Sequence, residues 1–514
     1  MTIEIPERFN LTTRLLDVHL DSGRADRPAY HTEAGVTTYR ELAALAGRAA
    51  NLFRDLGVEM EQRVILLLPD GLDFVAAFLG AARIGAVPVP VNTLATTQDY
   101  AYVLRDARPK ALVVHADLLP RLRPFWKELA RPPITLVVGD PGEFLGFPAE
   151  LARRGETRPA ADTHRDDAFY WLYSSGTTGR PKGVVHLHHD MPYCIIPFCR
   201  DVLKVTPEDV GLSVPRLFFS YGIANALFTP LLMGSSAVLF PERPEPARVL
   251  ELIARHRPTM FYTVPTSFAA LLKELEGSRA DLSSLRLCMS AGEPLPAPIF
   301  ERWRERTGVE IIDFIGSTEV GYAYLSNRPG RVRPGSTGTA LPGFEVRLVN
   351  ERGEDVPPGE VGDLLVKAES TAATYWNQHE RTKAAFQGEW FRTGDKFVRD
   401  AEGFYTYVSR SDDLLRVSSQ WVAPVEVEAA LLAHPAVLEA AVVGAPDEHG
   451  LEKPKAFVVV REGRPADNGL VKELQDFVKQ RLAPYKYPRW VEFVPELPKT
   501  ATGKIQRYKL RAGT

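Results

Sequence analysis

The sequence predicts an α/β protein: a large N-terminal domain of layered α/β subdomains with a small β-barrel-like part, then a small α+β C-terminal domain. Three observations point there. The chain has 514 residues, well past the size at which one hydrophobic core stops growing, so at least two domains are expected. Helix-period segments alternate with short continuous apolar runs, the pattern of helices layered on a largely parallel sheet. After Gly335 the texture changes to short strands joined by charged, glycine-bearing turns, and the alternation resumes near the end.

Taken in order, "TTYRELAALAGRAANLFRDLGV" has apolar residues at helical spacing and "RVILLLP" reads as a buried strand. The beat repeats in "DFVAAFLGAARIG" with "AVPVPVN", and in "DYAYVLRDARP" with "KALVVHA". It returns at "PARVLELIARHRP" with "TMFYTVP" and at "APIFERWRERTG" with "VEIIDFIG". "FEVRLVNERGEDVPPGEVGDLLVKA" and "GEWFRTGDKFVRDAEGFYTYVSR" are the strand-and-turn part. The tail holds "PVEVEAALLAHPAVLEAAVVG", "KPKAFVVV" and "LVKELQDFVKQRLAP". A boundary at "SRSDDLLRVSS" divides the chain into 1–411 and 412–514, the second piece being a compact unit of about 100 residues.

Bulk properties narrow the function classes. Net charge is −3, from 62 basic and 65 acidic residues, which leaves no nucleic-acid footprint and no membrane partner to expect. The three cysteines, Cys194, Cys199 and Cys288, form no CxxC pair, as suits a reduced cytoplasmic protein. The opening "MTIEIPERFNLTTRLLD" carries acids and a proline where a signal peptide needs an apolar run. The most apolar long segment, Phe74 to Val91, holds Arg83, two glycines and two prolines, so it reads as a buried helix running into a strand.

"YSSGTTGRPKG", Tyr173 to Gly183, is built to hold phosphate: glycines let successive N–H groups turn toward one anion, and hydroxyls add donors. It is not the mononucleotide P-loop, because only three residues separate Gly179 from Gly183 and Lys182 is followed by glycine. "HLHHD", His186 to Asp190, invites a metal reading, but there is no second ligand cluster to complete it.

Further motifs follow in order: "SAGEPLP", "DFIGSTEVG", "YWNQHERTKAAFQGEWFRTGD", "SRSDDLLRVSSQWVAPVEVE" and "LPKTATGKIQRYKL". Together with the glycine loop this set resembles the adenylate-forming superfamily of acyl-CoA synthetases, luciferases and peptide-synthetase adenylation domains, over nearly the whole chain. "YSSGTTGRPKGVVH", "LFFSYG", "GSTE", "YWNQ" and "PKTATGKIQR" look most like benzoate–CoA ligases and related aryl-acid–CoA ligases.

The resemblance implies a two-step reaction needing ATP, Mg²⁺ and CoA: an aromatic carboxylate attacks the α-phosphate of ATP, and the CoA thiol then displaces AMP. Ser174, Ser175, Thr177 and Thr178, with Gly176 and Gly179, would hold the β- and γ-phosphates, and Lys182 would support the loop. Thr318 would reach the α-phosphate, Glu319 would ligate Mg²⁺, and Lys504 would bridge the carboxylate and α-phosphate oxygens. Gly292, Glu293 and Pro294, with Asp313, Phe314, Ile315, Gly316 and Ser317, would form the adenine side. Asp395 and Arg410 would hold the ribose, with Tyr407 nearby; Ile315 stands where the wider superfamily has a stacking tyrosine, as it does in benzoate–CoA ligases.

The acyl pocket would be lined by Phe219, Ser220, Tyr221, Tyr262, Ala291, Gly316, Gly321, Tyr322 and Ala323, a set suited to a flat ring. Aryl ligases often have a larger residue at Gly321 and histidine at Tyr322, so space for ring substituents or a polar handle is expected here. The C-terminal domain would be mobile, hinged at Asp412, and would present a thiol tunnel at Ser418, Ser419, Gln420 and Trp421. Ser419 replaces a usual glycine, and its Cβ narrows the tunnel or excludes a positive φ. Other readings remain open: transfer to a carrier-protein phosphopantetheine, a cycloaliphatic or short- to medium-chain acid as substrate, or an adenylate sensor without turnover. Partners would be the small-molecule acid, ATP and CoA, with the chain a monomer or homodimer.

Overall fold

The computed structural model describes residues 3–174, 181–278, 280–410, 415–417, 420–448, 451–499 and 505–511. Its first α/β layer starts at the helix Tyr39–Asp55, which a capping box fixes: Glu41 N–H donates to the Thr38 hydroxyl, and Thr38 N–H donates to the Glu41 carboxylate. The helix Leu72–Arg83 lies against it. A Cβ on Gly80 would sit 2.4 Å from that of Ala49, so the close crossing requires glycine. Beneath them is a parallel sheet in the order Val87–Pro90, Arg63–Leu67, Ala111–His115, Ile134–Val138, Leu145–Gly146. The "VPVP" strand takes the edge, where prolines cost no ladder hydrogen bond.

The second sheet has nine strands. Six are parallel neighbours: Ile311–Gly316, Leu287–Ser290, Met260–Thr263, Val210–Ser213, Ser236–Val238 and Pro28–Thr32. Antiparallel strands close both edges, Ala323–Ser326 and Thr339–Ala340 on one side and Gly35–Thr38 on the other. Strand Pro28–Thr32 precedes the first layer in the chain yet belongs to the second sheet, a crossing that local patterning does not reveal. One covering helix, Pro246–His256, buries Val249, Leu250, Leu252 and Ile253, a single helical stripe.

Between the two sheets lies an antiparallel hairpin, Ala168–Ser174 with Lys182–Leu187, joined on its far side by Thr374–Tyr375. The β-rich part is a five-stranded antiparallel sheet built from Glu345–Val349, Val361–Lys367, Phe386–Gln387, Trp390–Arg399 and Tyr405–Arg410. In the tail, helices Pro424–Leu432 and Asn468–Lys479 pack on a sheet of Val437–Pro446, Glu452–Val460 and Trp490–Phe493. Val427, Leu431, Val442, Val458 and Leu474 form a core of its own there.

Candidate active site

The second sheet ends in a row of small polar residues. Thr263 pairs with Ser290 and Ser290 with Asp313 across three adjacent strands. Their side-chain atoms Thr263 Oγ1, Ser290 Oγ and Asp313 Oδ1 are buried and have no hydrogen-bond partner. Such atoms cost stability unless something satisfies them, and a crevice at the carboxyl ends of parallel strands is where α/β sheets bind ligands. Burial pushes the Asp313 carboxyl well up, against the backbone N–H groups of Leu295 and Phe314. Beside the row, Gly292 and Pro294 are exposed while Glu293, Ile315 and Gly316 are half-buried, an open rim above a closed floor.

The hairpin brings the two ends of the glycine-rich segment together, with Ser174 and Lys182 as register partners. Ser174 Oγ is buried without a partner. Lys182 Nζ is 2.7 Å from Glu319 Oε1 and donates to the Tyr375 hydroxyl at 2.9 Å. Tyr375 in turn donates to Glu319 Oε1 at 2.9 Å. Burial works to raise the Glu319 carboxyl, but the Lys182 ammonium and the hydrogen bonds around it hold it below the ordinary range. Glu319 is therefore an ionised carboxylate in a nearly closed site, already facing a cation.

The short turn Thr318–Val320 that carries Glu319 is pinned from behind. His186 Nε2 donates to the Thr318 carbonyl at 2.6 Å, and its Nδ1 lies 2.7 Å from Asp190 Oδ2. Its ring stacks on Tyr170 at 5.1 Å and 14°, and Ala372 N–H donates to the Glu319 carbonyl at 2.7 Å. The "HLHHD" run is thus structural: His188 Nδ1 accepts from Leu11 N–H at 3.0 Å. Among the described residues no group of three or more His, Cys, Asp or Glu could hold a metal ion.

Asp395 and Arg410 face each other across a hairpin and form an ion pair at 2.9 Å. Gly394, with φ +76°, leaves room for the Arg410 guanidinium, whose Nη2 a Cβ there would meet at 3.1 Å. The Tyr407 ring packs edge-on against Phe397 at 5.4 Å.

The expected acyl-pocket residues gather around one aromatic group. Phe314 contacts Tyr221 and Tyr322 edge-on, both at 5.4 Å, and Phe198 lies 5.6 Å from Tyr322. Ser220 Oγ donates to the Gly321 carbonyl at 3.2 Å; Phe219 leans on Phe218 at 4.7 Å. Tyr262, Ala291 and Ala323 are buried beside them. Two expectations need correcting. Gly321 leaves no empty space: it has φ +87°, and its missing Cβ would lie 2.6 Å from Met191 Cε and 3.1 Å from Cys194 Sγ, which fill that volume. Nor is the Tyr322 hydroxyl a free handle, because it donates to Asn225 Oδ1 at 2.6 Å.

Ser175, Gly176, Thr177, Thr178, Gly179, Asp412, Ser418, Ser419 and Lys504 lie outside the described residues, and Gln420 and Trp421 are described in backbone only, in the strand Gln420–Val422. Tyr375, His186, Asp190 and Asn225 were not among the expected site residues. "YWNQ" was a signal for Tyr375; its partner Glu319 lies 56 positions away, and no local pattern links them.

The model of the AMP-binding enzyme family matches residues 19–376, and that of the AMP-binding enzyme C-terminal domain matches residues 426–504. The chain is 46% identical over 512 residues to a benzoate–CoA ligase of Thauera aromatica, covering 99% of this chain and 97% of that protein. It is 42% identical to a 4-hydroxybenzoate–CoA/benzoate–CoA ligase of Rhodopseudomonas palustris, over 98% and 94% of the two chains. The fold superposes with a TM-score of 0.95 on the anthranilate CoA ligase AuaEII in complex with anthranoyl-AMP, at 42% identity and 99% and 98% coverage. A benzoate CoA ligase from Burkholderia xenovorans LB400 gives 0.90 at 42% identity, covering 98% and 100%.

Proposed function

The chain belongs to the AMP-binding enzyme family, and from that premise we propose that it activates an aromatic carboxylic acid with ATP and transfers the acyl group to CoA. One observation carries the reading: similarity to a protein named benzoate–CoA ligase runs at 46% identity through 99% of the chain.

In the first half-reaction a carboxylate oxygen attacks the α-phosphorus and the bond to the β-phosphate breaks, releasing pyrophosphate. Two anions must meet, so positioning and charge compensation dominate. The hydroxyls and N–H groups from Ser174 to Gly179 hold the departing phosphates, and Thr318 reaches the α-phosphate. Glu319, ionised and held beside Lys182, suits a Mg²⁺ that brings its other ligands as water and phosphate oxygens. When bound, that ion neutralises phosphate charge. His186 holds the backbone of the turn that presents Thr318 and Glu319. Asp313, with Ser290 and Thr263 behind it, receives the adenine edge. Asp395 and Arg410 exchange their mutual contact for the ribose hydroxyls. Lys504 places its ammonium between the reacting oxyanions.

In the second half-reaction the CoA sulfur attacks the acyl carbon, the bond to AMP breaks, and the thiol proton passes to solvent. The mobile unit is 412–514, turning at Asp412, with Ser418 to Trp421 shaping the thiol path. Pyrophosphate release with benzoate tests the first step, and CoA-dependent AMP release tests the second. Pyrophosphate release with short fatty acids alone would overturn the aromatic assignment.

A further inference from the structure

Where the first layer meets the hairpin, the helix Thr97–Ala107 ends in a way that helix energetics alone disfavours. Asp106 puts a carboxylate in its last turn, at the negative end of the macrodipole. Arg108, just past the end, takes the left-handed conformation at φ +48°, where glycine is the usual choice. What these residues touch accounts for both features. The Tyr173 hydroxyl donates to Asp106 Oδ2 at 2.7 Å, and the Trp376 indole N–H donates to the Asp106 carbonyl at 3.0 Å. The Trp376 ring lies 4.4 Å from that of Trp171, and the Arg108 guanidinium sits over it at 5.8 Å. The Arg63 guanidinium lies 5.6 and 5.5 Å from the Trp171 and Trp376 rings, and its Nε donates to the Ala107 carbonyl at 2.9 Å. Burial, with the neighbouring Asp106 carboxyl, pushes the Tyr173 phenol up, so it keeps the hydrogen it donates.

Tyr173 and Trp376 flank the glycine-rich segment. Tyr173 is the register partner of Gly183, and Trp376 N–H donates to the Gly183 carbonyl at 2.8 Å. A Cβ on Gly183 would lie 3.3 Å from Trp376 Cβ and 3.4 Å from Tyr173 Cζ, so the three are in close contact. Ser174 and Lys182 come next along the two strands, and Tyr375, beside Trp376, bridges Lys182 and Glu319. We propose that Asp106 is a positioning residue for the phosphate end of the nucleotide site: by gripping Tyr173 and Trp376 it fixes the two ends of the glycine-rich segment, and Tyr375 with them, against the first layer. It acts through those two aromatic side chains and not on a substrate. The inference rests on the reading of that segment as the cradle of the departing phosphates, where a small misplacement is costly.

The test compares the affinities of ATP and AMP, measured by titration calorimetry with Mg²⁺ present and no acid, in the wild type, Asp106→Leu, Asp106→Asn and Tyr173→Phe. AMP lacks the two phosphates that the segment would hold, so it reports on the rest of the site. In Asp106→Leu and Tyr173→Phe the affinity for ATP falls by about five- to tenfold, the worth of one hydrogen bond, while that for AMP stays within about twofold. Asp106→Asn, whose amide oxygen still accepts from the phenol, recovers most of the loss. The double variant Asp106→Leu/Tyr173→Phe loses no more than either single one, because both remove the same bond. Tyr173→Phe deletes one oxygen atom, so it carries the test even if Asp106→Leu does not fold. An unchanged affinity for ATP, or equal weakening of ATP and AMP, overturns the proposal while the nucleotide reading stands. A wild type that binds neither nucleotide overturns both.

Discussion

The two parallel sheets are made from the same sequence texture and end differently. In the first, the strands "RVILL", "ALVVH" and "ITLVV" are apolar almost throughout, and among the described residues none of the sheet's strands carries a buried polar side-chain atom without a partner. In the second, three strands finish on Ser213, Thr263 and Ser290, Asp313 lies beside Ser290 in the next strand, and three of these four residues hold such atoms. Each unsatisfied group costs about 1–3 kcal/mol. The first sheet has been optimised for burial alone, whereas the second gives up stability at one edge so that a ligand meets polar groups. Having helices on a parallel sheet does not make a site; the composition of the strand ends does.

Substitutions on the two sides should therefore fail in different currencies. The largest effect is expected at the turn between two strands of the second sheet: Glu319→Gln lowers pyrophosphate release by about 10²–10³-fold, the cost of removing one preorganised electrostatic group, with a secondary stability loss of about 1–2 kcal/mol because Lys182 keeps only a neutral acceptor. Leu66→Ala in the first sheet does the opposite. It costs about 3 kcal/mol of stability by cavity formation, read from denaturant midpoints, and leaves the KM for ATP in place. A KM change at Leu66 as large as at Glu319 would erase the distinction.

Lys182→Ala strips the counter-charge from a buried carboxylate. It should cost about 2–3 kcal/mol, most of it recovered in the double variant with Glu319→Gln, because then no buried charge is left unpaired. A smaller, pH-dependent effect belongs to the scaffold. Burial, with the neighbouring His189 charge, holds His188 down at about 3, below its unfolded value of about 6.5. Its contribution is complete above the unfolded value and is lost as pH falls between the two, where the unfolded chain binds the extra proton. Wild type should thus lose stability by about 1.4 kcal/mol per pH unit more steeply than His188→Gln in that window. Equal slopes would mean that His188 is protonated in the fold. The smallest change is predicted at Asp313→Asn. Burial disfavours the charged form of that carboxyl, so the neutral amide should move stability by less than about 0.5 kcal/mol, and a large loss would mean that the site stabilises the anion.

The helices and buried strands were legible because each is a local period. Tyr39–Asp55, Arg63–Leu67 and Pro246–His256 fall where their apolar spacing puts them. The strand Pro28–Thr32 was not, since its partner Ser236–Val238 lies far along the chain and pairing leaves no local mark. The candidate site shows the same division. Motif residues such as Glu319 could be named from the sequence. The hydrogen bonds that set their charge could not: Lys182 and Tyr375 stand 193 positions apart, and His186 and Thr318 stand 132 apart. Gly321 was misleading for a related reason. Deleting a side chain opens space only if no neighbour fills it, and Met191 does.

The central claim is that a positive side chain at Lys504 brings two mutually repelling oxyanions together in the adenylation step and is withdrawn for the thioester step. The direct test is to measure both half-reactions separately in Lys504→Ala: benzoate-dependent pyrophosphate release, and conversion of supplied benzoyl-adenylate to benzoyl-CoA. The account predicts a loss of about 10²–10³-fold in the first with the second retained. Equal losses in both would contradict it.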